Sequence, residues 1–359
     1  MRIEMKFRQP NEMLVDQLLV KHMAGSRAYG TNLPTSDVDI RGVFVADELF
    51  YKSPWYTVEE INVDDEEDTK YYELSKFLKL LVDQNPNIVE TLWVDEEDVL
   101  ESSPGYELLR ANREKLLSSK TAFTFSGYAV AQLKRIKGHN KWINNPQPEA
   151  QPRMMDFVTM VQSFADGKEL KFDFNDPAHE RTVLVHYGQD LYGMYENPEG
   201  KSYKAYDVTG ALIANRDIET HTLGNPVRLI RFNRDEYKLA KEKHNQYWTW
   251  KKNRNESRSE LEAKFGYDTK HAMHLVRLLR MGKEILTEGV VRVKRPDAKE
   301  LLEIRDGKWT YEELVSYAEQ LDSDIRKVHY KETKLQKTVD VKFATQLMFD
   351  AMELSWSGK

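Results

Sequence analysis

The sequence predicts an α+β protein. An α/β domain with a small mixed sheet is expected over residues 1–118. A mostly helical region is expected over 119–359, with a β-containing insert at about 155–235. Three observations carry this. The apolar runs VDIRGVFV (38–45) and DTKYYEL (68–74) have the length and composition of strands and stand among helical patterns. From Asp235 onward the pattern is helical, with ELEAKF, HAMHLVRLLRMGKEIL and TYEELVSYAEQLDSDIRKVHY; apolar residues at 272, 275, 276, 279 and 286 fit one helix face. In between, VLVHY (183–187), the runs around Tyr192 and Tyr203, and a turn signal at Asn197-Pro198-Glu199-Gly200 read as short strands.

In chain order, the segment 13–24 (MLVDQLLVKHMA) is apolar and reads as helical. Ser75 is expected to cap the helix SKFLKLLVDQ, which stops before Asn85-Pro86. A helix follows at about 119–142. The polar, Pro-rich stretch 144–153 (NNPQPEAQPR) is a linker or long loop. No internal repeat is visible.

Composition narrows the function classes. With 40% hydrophobic and 31% charged residues, a chain of 359 residues can build a core. It contains no cysteine, which excludes disulfides, thiolate zinc sites, iron–sulfur clusters and cysteine nucleophiles. The first sixteen residues, MRIEMKFRQPNEMLVD, carry charges every few positions and no apolar signal core. No run of about 18 apolar residues exists. A cytoplasmic location is therefore expected, without a membrane partner. The net charge of −6 argues against a general nucleic-acid coat and leaves room for local basic patches.

The stretch that carries chemistry is 25–45, GSRAYGTNLPTSDVDIRGVFV. Gly25-Ser26 opens a turn whose free backbone N–H groups let a phosphate approach closely. Arg27 adds a permanently charged fork of donors, and Gly30-Thr31 closes the turn. Ser36-Asp37-Val38-Asp39 follows. In a strand Asp37 and Asp39 share a face, with Cα atoms about 6–7 Å apart. Two charges at that distance repel by about 2–3 kcal/mol at an effective dielectric near 20. A divalent cation such as Mg²⁺ offsets this, taking carboxylate and phosphate oxygens together. A turn at Gly25 or a helix cap at Ser36/Asp37 would each be unremarkable alone. Their order, a phosphate cradle and then paired carboxylates before an apolar strand, is the equipment of two-metal phosphoryl or nucleotidyl transfer.

This stretch resembles the signature of the DNA polymerase β-like nucleotidyltransferases, GS-x-x-x-G followed by SD-x-D. Arg27, Tyr29, Gly30-Thr31 and Asp39-Ile40-Arg41-Gly42-Val43 look like the RlaP-type branch, which is associated with RNA repair and also found in large phages. Asn85-Pro86-Asn87 with Glu90 and Trp93 is similar to a further block of that branch. Trp250, Arg254-Asn255, Arg258, Glu262, residues 266–280, Arg295-Pro296-Asp297 and 304–307 resemble its C-terminal signature. The likeness spans about two-thirds of the chain, and is least clear over 144–235.

The resemblance implies a polymerase β-type catalytic domain that moves a nucleoside monophosphate from an NTP, with ATP favoured, to a hydroxyl. It implies Mg²⁺ or Mn²⁺, two ions, held by Asp37 and Asp39 and a third carboxylate. Asp68 and Glu73 are the candidates for the third; their odd separation puts them on opposite strand faces, and Asp68 is preferred because Glu73 also suits a helix start. The expected nucleotide-binding set is Gly25, Ser26, Arg27, Gly30, Ser36, Arg41, Lys270, His274 and Arg277. The acceptor implied is an RNA end, such as that of tRNA. A protein acceptor, or a non-catalytic nucleotide- or RNA-binding regulator, is the alternative.

Other features were weighed in the same way. Residues 59–68 (EEINVDDEED) hold seven carboxylates and no base, and read as a solvated loop. Residues 251–283 hold nine Lys/Arg against four Asp/Glu. There Lys270, His274 and Arg277 recur at i, i+4 and i+7 on a stripe opposite the apolar face, with Arg280 beside them, and read as a basic wall of the cleft. His271 and His274 lack a third ligand at zinc spacing. Tyr247, Trp248 and Trp250 before Lys251-Lys252 read as core or as a base-stacking platform.

Overall fold

The computed structural model describes residues 8–63, 68–161, 169–171, 182–197, 204–214, 223–253 and 256–357. The expected turn at 197–200 past Asn197, the Tyr203 run, the centre of the acidic run (64–67), Arg254-Asn255 and the side chain of Arg258 lie outside the described residues. The chain forms two compact units, residues 1–143 with 256–359, and residues 144–255.

The first unit opens with α1 (Pro10–Asp16), β1 (Leu18–Met23), α2 (Gly25–Tyr29), β2 (Ile40–Phe44) and α3 (Glu48–Lys52). It continues through β3 (Glu60–Asn62), β4 (Thr69–Glu73), α4 (Leu74–Val82), α5 (Pro86–Val89), β5 (Val99–Ser102), α6 (Pro104–Ala111) and α7 (Thr121–Asn144). The strands form one mixed sheet in the order β3-β4-β2-β1-β5. Only β2 and β4 run parallel, with Ile40 opposite Thr69.

Three local expectations need correction. The segment 13–24 is not helical throughout: α1 starts on Pro10 and ends at Asp16, and β1 takes over at Leu18. β1 is bonded on both edges and buries Leu19, Val20 and His22, so its apolar run lacks the alternation that separates strand from helix. The helix after β4 is capped by Glu73, not Ser75. The Glu73 carboxylate accepts from the N–H of Ser75 (2.8 Å) and Lys76 (3.2 Å) and from the Tyr51 hydroxyl. β2 begins at Ile40, so Asp37 and Asp39 lie in the loop before it and not on one strand face.

The chain returns to this unit as α9 onward, after the second unit. That second unit holds β6 (Val158–Val161), β7 (Glu169–Lys171), β8 (Thr182–Gly188), β9 (Leu191–Glu196), β10 (Arg228–Phe232) and α8 (Arg234–Lys252). Its strands make an antiparallel sheet, β7-β6-β10-β9-β8, around Val158, Leu184, Tyr192, Met194, Ile230 and Phe232. Residues 145–153 form neither helix nor strand. Tyr247 is buried, with its ring 5.5 Å from that of Trp248 and 5.7 Å from that of Trp250, and the Trp248 indole donates to the Pro148 carbonyl (3.0 Å). These rings pack within the unit.

The first unit is completed by α9 (Glu256–Phe265), α10 (Thr269–Glu288), α11 (Ala298–Arg305), α12 (Tyr311–Asp324), a π-helical turn (Ile325–His329), α13 (Tyr330–Glu332) and α14 (Val341–Ser357). A boundary at residue 118 does not match this division. Phe125, Ala129 and Ile136 of α7 share one core with Leu19 and Val43 of the sheet and Ala272, Val276 and Leu279 of α10. The helices after 118 thus complete the sheet's apolar face. Phe125 is fully buried there. Phe125→Ala is expected to destabilise the first unit by about 3–5 kcal/mol, read by denaturant unfolding.

Candidate active site

The site starts from a glycine. Gly25 has φ +60°, and a Cβ there would sit 1.9 Å from Oδ2 of Asp39. Only glycine allows the Asp39 carboxylate to lie against the start of α2. The Asp39 carbonyl in turn accepts from the Ala24 N–H (2.8 Å), which ties the carboxylate loop to the end of β1.

Parallel pairing brings in the next carboxylate. Asp39 and Asp68 each directly precede the paired residues Ile40 and Thr69, and the Ile40 N–H donates to the Asp68 carbonyl (3.3 Å). Asp68 holds a left-handed backbone, φ +57°, a conformation that aspartate tolerates. Burial raises the Asp39 carboxyl above the ordinary carboxylate range. Asp68 and Asp37 push it the same way, while Arg41 and Lys270 oppose them. Asp39 therefore feels the charges of both Asp37 and Asp68. Glu73 is engaged as the cap of α4.

The expected phosphate donors divide. Arg27 donates to the carbonyls of Ser36 (3.2 Å) and Asp37 (3.4 Å), so two of its donors hold the carboxylate loop. Ser36 Oγ accepts from the Leu33 N–H (2.8 Å), fixing the turn before it. Gly30 ends α2 in a left-handed conformation, φ +70°, and the Ser26 carbonyl accepts from Thr31 N–H (2.8 Å).

A cavity of about 780 Å³ lies beside Gly25, walled by β1 and β2 (His22, Arg41), α5 and the turn after it (Asn87, Glu90), α7 and α10. His274 and Arg277 line it. The stripe on α10 does not face opposite the apolar side, as expected from spacing. Arg277 is only 5% exposed. Its Nη1 donates to Glu90 Oε1 (2.7 Å), and its guanidinium carbon lies 3.7 Å from the centre of the Tyr29 ring. The Tyr29 hydroxyl donates to the other Glu90 oxygen (2.7 Å). Arg280 is taken up elsewhere, by Asp297 and Glu300 (2.7 Å each) and the Tyr317 hydroxyl (3.0 Å). Lys270 contributes to the field at Asp39.

Both cavity histidines are neutral near pH 7. Burial lowers His274 to about 3, with Arg277 and Lys270 adding to the shift. Burial lowers His22 to about 4, against the carbonyl of Met23 at 2.7 Å from its Nδ1.

Sequence reasoning passed over His22 and the α7 face of Thr124, Tyr128, Gln132 and Arg135. Their spacing, i, i+4, i+8 and i+11, is a polar helical stripe, but its role shows only once the cavity closes on it. It also passed over a second cluster. Ligand atoms of His139, Glu262 and Asp268 lie within 4.8 Å of one another, with His271 Nδ1 2.5 Å from Asp268. These residues come from α7, α9 and the N-cap of α10, so linear zinc spacing does not reveal them.

Residues 2–145 match the RlaP family model, an RNA repair pathway DNA polymerase beta family. The matched span holds the Gly25–Asp39 loop, Asp68 and Glu90. Searches of curated proteins and of solved structures gave no match.

Glu90→Leu alone is expected to destabilise by about 3–5 kcal/mol, because it strands the Arg277 charge, while Glu90→Leu with Arg277→Met recovers part of that loss; chemical denaturation measures both. His22 and His274 have folded values below the ordinary 6.5, so the unfolded chain takes up protons first. Stability is then complete above about pH 6.5 and falls as pH drops toward 4 and 3, and His274→Gln flattens that fall in a pH series of melting temperatures.

Proposed function

We propose that the first unit is a metal-dependent nucleotidyltransferase that moves a nucleoside monophosphate from an NTP to a hydroxyl of RNA. The observation that carries this reading is the Asp39 carboxylate held against Gly25, with Asp68 at the same end of the paired parallel strands and the charges of Asp37 and Asp68 acting on Asp39. Its family match adds nucleotidyl transfer in RNA repair as context.

The donor set fits divalent cations. Three carboxylates supply only oxygen ligands, which suit Mg²⁺ or Mn²⁺. Burial, and then the charges of Asp68 and Asp37, push Asp39 upward against Arg41 and Lys270, and a bound cation would relieve that push. Asp37, Asp39 and Asp68 would hold two ions, which supply charge neutralisation at the phosphates and a more acidic acceptor hydroxyl. Gly25 leaves space for phosphate beside the start of α2, and Arg27 keeps Asp37 in place through its backbone. In the transfer the acceptor oxygen bonds to the α-phosphorus, the bond to the β-bridging oxygen breaks, and pyrophosphate leaves with the electron pair. Asp68 takes the hydroxyl proton.

Transfer from α-labelled ATP tests the reading, with total RNA and protein extract as separate acceptors. Asp39→Asn is expected to lower transfer by about 100-fold or more. Unchanged transfer in that variant would sink the proposal. Label in protein alone would favour the adenylyltransferase alternative, and NTP binding without pyrophosphate release the regulator. The same variant should melt higher than the parent in EDTA at neutral pH. Asp39 has a raised folded pKa, so its ionisation destabilises the metal-free fold progressively as pH rises through that value.

A further inference from the structure

A second set of donor side chains meets within the first unit, and none of them lines the cavity beside Gly25. His139 comes from the end of α7, Glu262 from α9 and Asp268 from the N-cap of α10. One ligand atom from each lies within 4.8 Å of the other two. His139 Nδ1 stands 3.3 Å from Glu262 Oε1. Glu262 and Asp268 are each 2% exposed, whereas the His139 side chain keeps 21%.

The backbones that carry these donors are tied together. Helix α9 ends on Gly266, at φ +78°, whose N–H donates to the Glu262 carbonyl (2.8 Å). The Gly266 carbonyl accepts from Asn140 Nδ2 (3.0 Å), so the turn between α9 and α10 is bonded to α7 one residue from His139. Tyr267 is buried in that turn, and its hydroxyl donates to the Trp309 carbonyl (2.6 Å). Asp268 Oδ1 accepts from the His271 N–H (2.9 Å), and His271 Nδ1 lies 2.5 Å from Asp268 Oδ2. A carboxylate oriented by hydrogen bonds of this kind is the usual outer shell of a metal ligand.

The donor chemistry differs from that of the Asp39 cluster. Buried carboxylate charge is either paired or bound to a metal. Oxygen donors alone suit Mg²⁺, while an imidazole nitrogen among carboxylates suits Zn²⁺ and its first-row neighbours. Donors about 2.0–2.2 Å from a tetrahedral zinc stand about 3.4 Å apart. Side-chain rotation alone brings a set already within 4.8 Å to that spacing. We propose that His139, Glu262 and Asp268 bind one Zn²⁺, with a water in the fourth position and His271 as the residue that positions Asp268. The ion joins α7, just before the chain leaves the first unit at 143, to α9, the first helix after it returns at 256. It also fixes the first turn of α10, from which the charge of Lys270 acts on Asp39. This role is structural and does not depend on the nucleotidyltransferase reading.

The test uses the full chain carrying Asp37→Asn and Asp39→Asn, so that zinc at the other carboxylates is not counted. Zn²⁺ is added, the excess is removed by gel filtration in Mg²⁺, and retained zinc is measured by atomic emission. One zinc per chain is expected, with a melting temperature about 5 °C or more above that of the same protein in EDTA. His139→Gln or Glu262→Gln should each weaken zinc binding at least about 10-fold, while near-UV circular dichroism in EDTA stays that of the parent. In the cobalt(II) form His139→Gln should change the d–d absorption, because an imidazole ligand is lost. His271→Ala should keep those bands and lower affinity by about 10- to 100-fold. No retained zinc, or zinc held equally after His139→Gln and Glu262→Gln, would overturn the proposal and leave a hydrogen-bonded ion network. So would a cobalt spectrum of six oxygen ligands with His139 intact, whatever the folding of the variants.

Discussion

One buried guanidinium organises the first unit. Arg277 comes from α10, while Glu90 and Tyr29 come from the first hundred residues, and the Arg277–Glu90 bond spans 187 positions of chain. Taking two charges out of water costs several kcal/mol per ion, so the pair is tolerable only with good geometry and further partners. Tyr29 provides these, giving its ring to Arg277 and its hydroxyl to Glu90. Tyr29 is the last residue of α2, whose first residue is Gly25. The helix from the far end of the sequence therefore fixes the element against which Asp39 rests.

The carboxylate cluster depends on that rigidity. Like charges at Asp37, Asp39 and Asp68 tend to separate, and the loop holding two of them has no strand pairing of its own. Arg27 grips the carbonyls of Ser36 and Asp37, and the parallel ladder fixes the backbone of Asp39 relative to Asp68. The cavity histidines follow the same economy of charge. Beside Arg277 and Arg41 a protonated imidazole would add to positive charge already present, and burial keeps both rings neutral.

Much of the candidate site was legible because its chemistry is local. Glycine, serine and two aspartates within fifteen residues announce a cradle and a charge pair wherever the backbone runs. The backbone itself was less legible. β1 is covered on all sides and loses its alternation, so 13–24 read as helix. Glu73 caps α4 through a carboxylate that the sequence could equally assign to metal or to helix. On α10, His274 and Arg277 of the i, i+4, i+7 stripe line the cavity and Lys270 does not. Spacing is silent on what that face meets, and Arg277 meets a buried glutamate and an aromatic ring.

The domain boundary was hidden for a related reason. Linker composition at 144–153 marks a place where the chain leaves a compact unit, but composition does not say that it comes back. The first unit resumes at 256, and α10 then supplies the core with Ala272, Val276 and Leu279. Helix α7, before the excursion, and helix α10, after it, share one apolar core with the sheet. Neither the apolar core nor the Arg277 pair can form from residues 1–143 alone. The RlaP match over 2–145 thus covers the carboxylates and Gly25 but stops short of the helix that holds α2 in place. The Gly25–Asp39 loop takes support from outside its own motif, and the chain supplies it only after more than a hundred intervening residues.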